Sequence, residues 1–195
     1  VMSQEVEIEV KSMVDKNGYL TLLQAFGLNQ KDAICQHNHY FESNNFSLKE
    51  KGAGLRIREK DGQYTLTLKQ PHTIGKLETH QTLTVDEWLT AKKKHIIPVG
   101  AVQDQLNSLQ IPINELRYVG TLTTHRIEIN YNSGLLCFDR SEYFDQSDYE
   151  IEFEGKDEQH ALQTLTDMLR ENGLSLIATE NKVRRFFRRK LELNQ

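Results

Sequence analysis

The sequence predicts an α+β fold in which antiparallel strands close into a barrel and helices cover its outside. Three observations lead there. Several segments alternate polar and apolar residues with period two. The polar faces of those segments are rich in carboxylates and cations. Amphipathic helical stretches lie between them and can cover the apolar faces. Many antiparallel strands with little edge protection favour closure. Closure would turn the charged faces inward, and burying so many charges costs too much unless they hold something.

At 195 residues the chain suits a single domain, 1–195, large enough to bury a core without disulfides. A net charge of −4 argues against bulk binding of nucleic acid or an anionic membrane. Cys35 and Cys137 have no metal-ligand spacing and read as reduced thiols. No apolar run reaches membrane-spanning length and the first residues lack a signal-peptide core, so a cytoplasmic location is expected.

Residues 4–11 form the first predicted strand. Glu5, Glu7, Glu9 and Lys11 share one face, and Val6, Ile8 and Val10 share the other. Three like carboxylates about 7 Å apart along a strand repel one another unless cations face them. Residues 15–26 predict a helix, with Asp15 as its cap, Tyr19, Leu22, Leu23 and Phe26 on one face, and Gly27 as its stop. A short strand over 37–42 puts His37 and His39 on one face, a spacing compatible with a metal but favouring a hydrogen-bonded pair, since no third soft ligand is near.

The strand 55–59 sets Arg56 and Arg58 against Leu55 and Ile57, and Asp61-Gly62 signals a hairpin into 64–69. There Thr65, Thr67 and Lys69 are the polar face. A further strand over 76–83 has Glu78, His80 and Thr82 as its polar face. Residues 85–109 predict two helical pieces, the first capped by Asp86 and placing Trp88 on an external helix, the two separated by Pro98 and Gly100. Strands return over 118–131, 135–139 and 148–154, the first two joined by a turn at Asn132-Ser133-Gly134. The strand 148–154 repeats the first one's pattern, with Glu150, Glu152 and Glu154 on one face. Residues 157–172 predict an amphipathic helix, and 181–190 a helix with a solvated basic face.

Collected on the polar faces are Glu5, Glu7, Glu9, Asp139, Glu150, Glu152 and Glu154 against Lys11, Arg56, Arg58, Lys69 and Arg126. The guests that satisfy both signs are a polyanion and a divalent cation. Arginine forks suit phosphate, and paired carboxylates offer hard oxygens to Mg²⁺ or Mn²⁺. A polyphosphate chelated to a metal meets both needs.

Glu7-Ile8-Glu9-Val10-Lys11 resembles the N-terminal ExExK signature of the CYTH superfamily, the triphosphate tunnel metalloenzymes. Arg56-Ile57-Arg58, Lys69, Arg126, Asp139, Glu150-Ile151-Glu152 and Lys182 stand in the family's order, so the resemblance covers nearly the whole chain. It implies an eight-stranded antiparallel tunnel and a small-molecule triphosphate substrate, with Mg²⁺ or Mn²⁺ as cofactor. It further implies metal ligands at Glu7, Glu9, Asp139, Glu150 and Glu152. Phosphate contacts are implied at Lys11, Arg56, Arg58, Lys69, Arg126 and Lys182, with Arg184 or Arg185. Catalytic roles fall to Glu7, Glu9, Lys11 and Glu152. The activities implied are hydrolysis of inorganic triphosphate, thiamine triphosphate or a similar compound, or class IV adenylate cyclase chemistry. A non-catalytic module binding polyphosphate or RNA 5′ ends is the reading from another class.

Overall fold

The predicted strand over 4–11 folds as two strands. In the computed structural model, which describes residues 2–195, β1 (Met2–Glu7) and β2 (Glu9–Val14) are separated by Ile8. β1 pairs with β6 (Gly75–Leu83), whereas β2 pairs with β9 (Gln146–Glu154). The other strands are β3 (Ile34–Glu42), β4 (Gly54–Lys60), β5 (Gln63–His72), β7 (Arg117–Tyr131) and β8 (Gly134–Tyr143). The nine form an antiparallel sheet in the order β1-β6-β5-β4-β3-β7-β8-β9-β2. Eight strands were expected; the ninth comes from the interruption at Ile8.

Among the described residues there are six α-helices: α1 (Lys16–Ala25), α2 (Ser47–Glu50), α3 (Val85–Lys94), α4 (Ala101–Ser108), α5 (Glu158–Glu171) and α6 (Lys182–Leu193). Their caps explain their starts. Asp15 accepts the Gly18 N–H at 2.7 Å, and Asp157 accepts that of His160 at 2.7 Å. α3 starts two residues earlier than a cap at Asp86 would place it: Thr84 and Glu87 form a reciprocal capping box. Trp88 of that helix is buried, with its ring stacked on His39 at 4.1 Å between centroids.

The chain divides into two compact units, Val1–Glu7 with His37–Leu122, and Ile8–Gln36 with Thr123–Gln195. Each has its own apolar core. In the first, Leu55, Ile57, Leu66 and Leu68 of β4 and β5 pack with Trp88, Val102 and Leu106. In the second, Phe138, Ile151 and Phe153 of β8 and β9 pack with Leu22 and Leu23 of α1 and Leu165, Met168 and Leu169 of α5. These are the apolar faces of the alternating strands, and each fully buried Leu, Ile or Phe contributes about 1.5–3 kcal/mol. Residue alternation thus decides which side of each strand is glued to helices and which carries charge.

Two hairpins use the left-handed turn that matches strand twist. Asp61-Gly62 joins β4 to β5 and Asn132-Ser133 joins β7 to β8, all four at positive φ. At the next residue, Gly134, a Cβ would run into the Glu154 carbonyl and the Phe153 ring. The carbonyl belongs to a paired strand and cannot retreat without breaking the β8–β9 register. Gly134→Ala is expected to destabilise the protein by about 2 kcal/mol, read as a fall in the urea midpoint; an unchanged midpoint would show that the hairpin yields at no cost.

Candidate functional site

The polar faces assemble one charged cluster within each unit. In the second unit, cross-strand register does the placing. Arg126 on β7 stands opposite Asp139 on β8, Asp139 opposite Glu150 on β9, and Glu152 on β9 opposite Lys11 on β2. Arg126 donates to both oxygens of Asp139, Nε to Oδ1 at 2.7 Å and Nη2 to Oδ2 at 2.7 Å, and Nη2 reaches Glu152 at 3.0 Å. Lys11 Nζ lies 3.2 Å from Glu9 and 3.7 Å from Glu152.

The first turn of α6 completes this cluster. Asn181 caps the helix by accepting the Arg184 N–H at 3.0 Å. Lys182 then reaches inward, with Nζ 2.6 Å from Asp139 Oδ2, 2.5 Å from Glu152 Oε1 and in contact with Glu150 Oε1. Arg185 Nη2 lies 2.7 Å from Glu150 Oε2, and its Nε donates to Asp148 at 3.1 Å. The helix therefore does not present only a solvated basic face. Lys182 and Arg185 turn into the cluster, Arg188 is exposed and paired with Glu180, and Arg189 pairs with Asp145 and Glu192.

Asp139, Glu150 and Glu152 are buried, and one oxygen of each lies within 4.8 Å of the others. That set of hard oxygens fits a divalent cation, and the ammonium of Lys182 among the same three carboxylates shows that the position holds positive charge. Burial opposes ionisation throughout. Even so, Arg126 and Lys182 hold Asp139 below the usual carboxylate range, and Lys182, Lys11 and Arg126 hold Glu152 well below it. Glu150 goes the other way: burial, with the negative charge of Glu152 beside it, outweighs Lys182 and pushes its carboxyl up to about 7. The adjacent pair thus resists holding two negative charges at once.

The first unit has its own cluster. Lys69 Nζ donates to Glu7 Oε2 at 2.8 Å and lies 3.7 Å from Glu78, the residue opposite it on β6. Arg56 Nη2 is 3.9 Å from Glu78, and Arg58 on the same face of β4 donates to Asn38 at 2.9 Å. His80 bonds through Nε2 to Glu5 at 2.9 Å and through Nδ1 to Thr67 at 2.8 Å. Glu5, Glu78 and His80 form a second set of metal-type donors. Glu78 and His80 were visible as a polar strand face, but nothing in their spacing singled them out; the cross-strand neighbours that engage them become evident only with the pairing of β6.

The remaining predicted residues are placed as follows. Arg184 is half-buried on α6, and Arg185 is the member of that pair engaged with Glu150. Glu154 is half-buried at the end of β9, opposite Glu9 and Leu135. His39 is a packing residue, held by Thr121 at 2.6 Å and Glu59 at 3.0 Å. Cys137 is buried and its thiol is pushed up by burial, whereas Cys35 is exposed.

The sequence matches the CYTH domain over residues 5–187. The chain belongs to the CYTH family. It is 42% identical over 189 residues to a Bacillus subtilis (strain 168) protein named "Putative triphosphatase YjbK", covering 97% of this chain and 98% of that one. Among solved structures, this CYTH chain is similar to a "putative adenylate cyclase" from Bacillus halodurans. The two are 46% identical with a TM-score of 0.90, over 94% of this chain and 98% of that one. It shares its fold with a "putative adenylyl cyclase" from Hippeastrum said to reveal a dominant triphosphatase activity. There the identity is 19% and the TM-score 0.75, over 92% and 94% of the two chains. No helix among the described residues is long and apolar enough to cross a membrane.

The hydrogen bond to Glu78, with that to Glu5, raises the pKa of His80 above its ordinary value despite partial burial. A raised folded-state pKa means that His80 stabilises the fold fully below its unfolded value of about 6.5 and loses that contribution as pH rises through the folded value. The stability difference between wild type and His80→Asn should therefore shrink as pH rises across that window. Urea midpoints measured at several pH values check this, and a difference independent of pH would contradict it.

Proposed function

We propose that this CYTH chain hydrolyses a triphosphate-containing small molecule, such as inorganic triphosphate or thiamine triphosphate, with Mg²⁺ or Mn²⁺ as its cofactor. The observation that carries the reading is the buried trio Asp139, Glu150 and Glu152, with its oxygens gathered within 4.8 Å, and Lys11 and Arg126 beside it. Family membership and the name of the Bacillus subtilis relative support a triphosphatase. The tunnel belongs to the same reading. It is supported by the passage of the chain, through Ile8 alone, from the strand at one end of the sheet order to the strand at the other.

In this reading Asp139, Glu150 and Glu152, with Glu9 nearby, hold the divalent ion, while Glu7, also implied as a ligand by the family resemblance, is engaged by Lys69 within the first unit. When bound, such an ion neutralises charge on the reacting phosphoryl group and activates water. Lys11, Arg126 and Lys182, with Arg185 or Arg184, neutralise phosphate in the second unit, and Arg56, Arg58 and Lys69 do so in the first. Glu152, kept ionised by Lys182, Lys11 and Arg126, orients the attacking water by accepting a hydrogen bond from it. Catalysis rests on positioning and charge, as expected for phosphoryl transfer. No covalent nucleophile is required, and the buried, disfavoured thiolate of Cys137 offers none.

The description of the Bacillus halodurans relative favours a second reading, in which a ribose 3′-OH attacks the α-phosphate and pyrophosphate leaves. Product analysis separates the readings. Orthophosphate release from triphosphate that requires Mg²⁺ or Mn²⁺ is expected; cyclic AMP and pyrophosphate from ATP would establish the cyclase, and binding without product a sensor. Arg56→Lys and Arg58→Lys keep the charge but lose the planar fork. Each is expected to lower turnover about tenfold, or about 1.4 kcal/mol of transition-state stabilisation. Arg188→Lys, at an exposed position, should match wild type, and equal behaviour of all three would remove phosphate contact as the role of the pair.

A further inference from the structure

The Lys182 ammonium stands where a metal ion would. Its three carboxylate contacts are the three residues whose oxygens form the candidate metal site. Mg²⁺ and Mn²⁺ draw carboxylate oxygens to about 2.0–2.2 Å, so an ion shared by these groups would occupy the volume that Nζ fills. An ammonium and a divalent cation cannot share it.

The existing ion pairs point the same way. Glu9, Asp139, Asp148, Glu150 and Glu152 face Lys11, Arg126, Lys182 and Arg185, so every carboxylate of the second unit's cluster already has a cation beside it. Adding two positive charges at low dielectric without removing any would be strongly disfavoured. Of the four cations, Arg126 is held by a two-pronged contact to Asp139 from the middle of β7, and Arg185 is tied to Asp148 and to the Glu180 carbonyl. Lys11 lies 3.2 Å from Glu9 and 3.7 Å from Glu152. Lys182 hangs from the first residue of α6 on a flexible four-carbon stem and has only these carboxylates as described partners.

We propose that Lys182 is an exchangeable internal counter-ion: a divalent ion entering the Asp139–Glu150–Glu152 site expels its ammonium, which becomes available to an anionic phosphoryl oxygen. The inference rests on the proposed metal site and adds its regulation. In the metal-free protein Lys182 keeps the carboxylates compensated and is unavailable to phosphate. Metal loading frees it, so the protein becomes a better phosphate binder only when the ion is in place. Lys182 acts here as a positioning residue for the ion and as a gate on its own phosphate contact.

The test uses the full chain and Mn²⁺ alone, without substrate. Calorimetric titration should give a Mn²⁺ dissociation constant about tenfold lower for Lys182→Met than for Lys11→Met. Both variants remove one positive charge from the cluster, but only the first removes the competitor. In wild type, acylation of Lys182 by a small amine-reactive reagent, followed by mass spectrometry, should accelerate when Mn²⁺ is added. Equal tightening in the two variants, or Mn²⁺ binding that leaves Lys182 as protected as before, overturns the exchange while leaving the metal site intact. Failure of wild type and both variants to bind Mn²⁺ overturns the exchange and the metal reading of the site together. Should Lys182→Met not fold, the acylation result in wild type decides alone.

Discussion

Compensation of Asp139 is the constraint on which the charged half of the second unit depends. Its side chain has no exposure to solvent, and a buried, uncompensated carboxylate costs several kcal/mol. The Arg126 fork provides that compensation only because β7 and β8 are paired with these two residues opposite each other. A slip of one position would turn Leu136 and Phe138 of β8 toward the charged side and Asp139 toward the core. Core packing and ion pairing therefore enforce the same register from opposite faces of the strand. The first unit repeats the arrangement less tightly, with Lys69 opposite Glu78 and Arg58 opposite Asn38.

Period-two alternation made the faces legible in the sequence. It put Arg56 with Arg58, Glu150 with Glu152, and Ile57, Leu68 and Ile151 with the core, where all three are fully buried. It could not tell which strand neighbours which, because pairing is a non-local choice decided by packing. Hence the interruption at Ile8 was hidden: an unbroken alternating run carries no mark of where its hydrogen bonds change partner. The same limit applied to Glu78 and His80, whose partners lie on neighbouring strands. Arg184 and Arg185 were indistinguishable for a simpler reason, since adjacent helical residues differ by a rotation that only the docked helix fixes.

Some buried charge serves structure alone. Glu42 is almost wholly enclosed, and its carboxylate accepts backbone N–H groups of Ser43, Leu48 and Lys49 at 2.8, 3.0 and 3.1 Å. It closes the start of the short helix α2, where Phe46 has no side chain able to cap. Trp88 likewise joins a packed array, with Tyr64 stacked at 5.9 Å and Lys92 over its ring at 5.6 Å. A buried carboxylate is thus not by itself a sign of chemistry in this protein. What separates Asp139, Glu150 and Glu152 from Glu42 is that their partners are the cations of Arg126, Lys182 and Arg185, not backbone N–H groups.

The division of the chain also governs the order in which it can fold. The second unit is assembled from two stretches with His37–Leu122 lying between them, so β2 must wait for β9 before its hydrogen bonds exist. Pairings of such sequence separation slow folding. On a ribosome, the first carboxylates of the cluster emerge long before α6 delivers Lys182. Until then Asp139, Glu150 and Glu152 have only Lys11 and Arg126 against them, so the carboxylates outnumber their cations until the last helix docks.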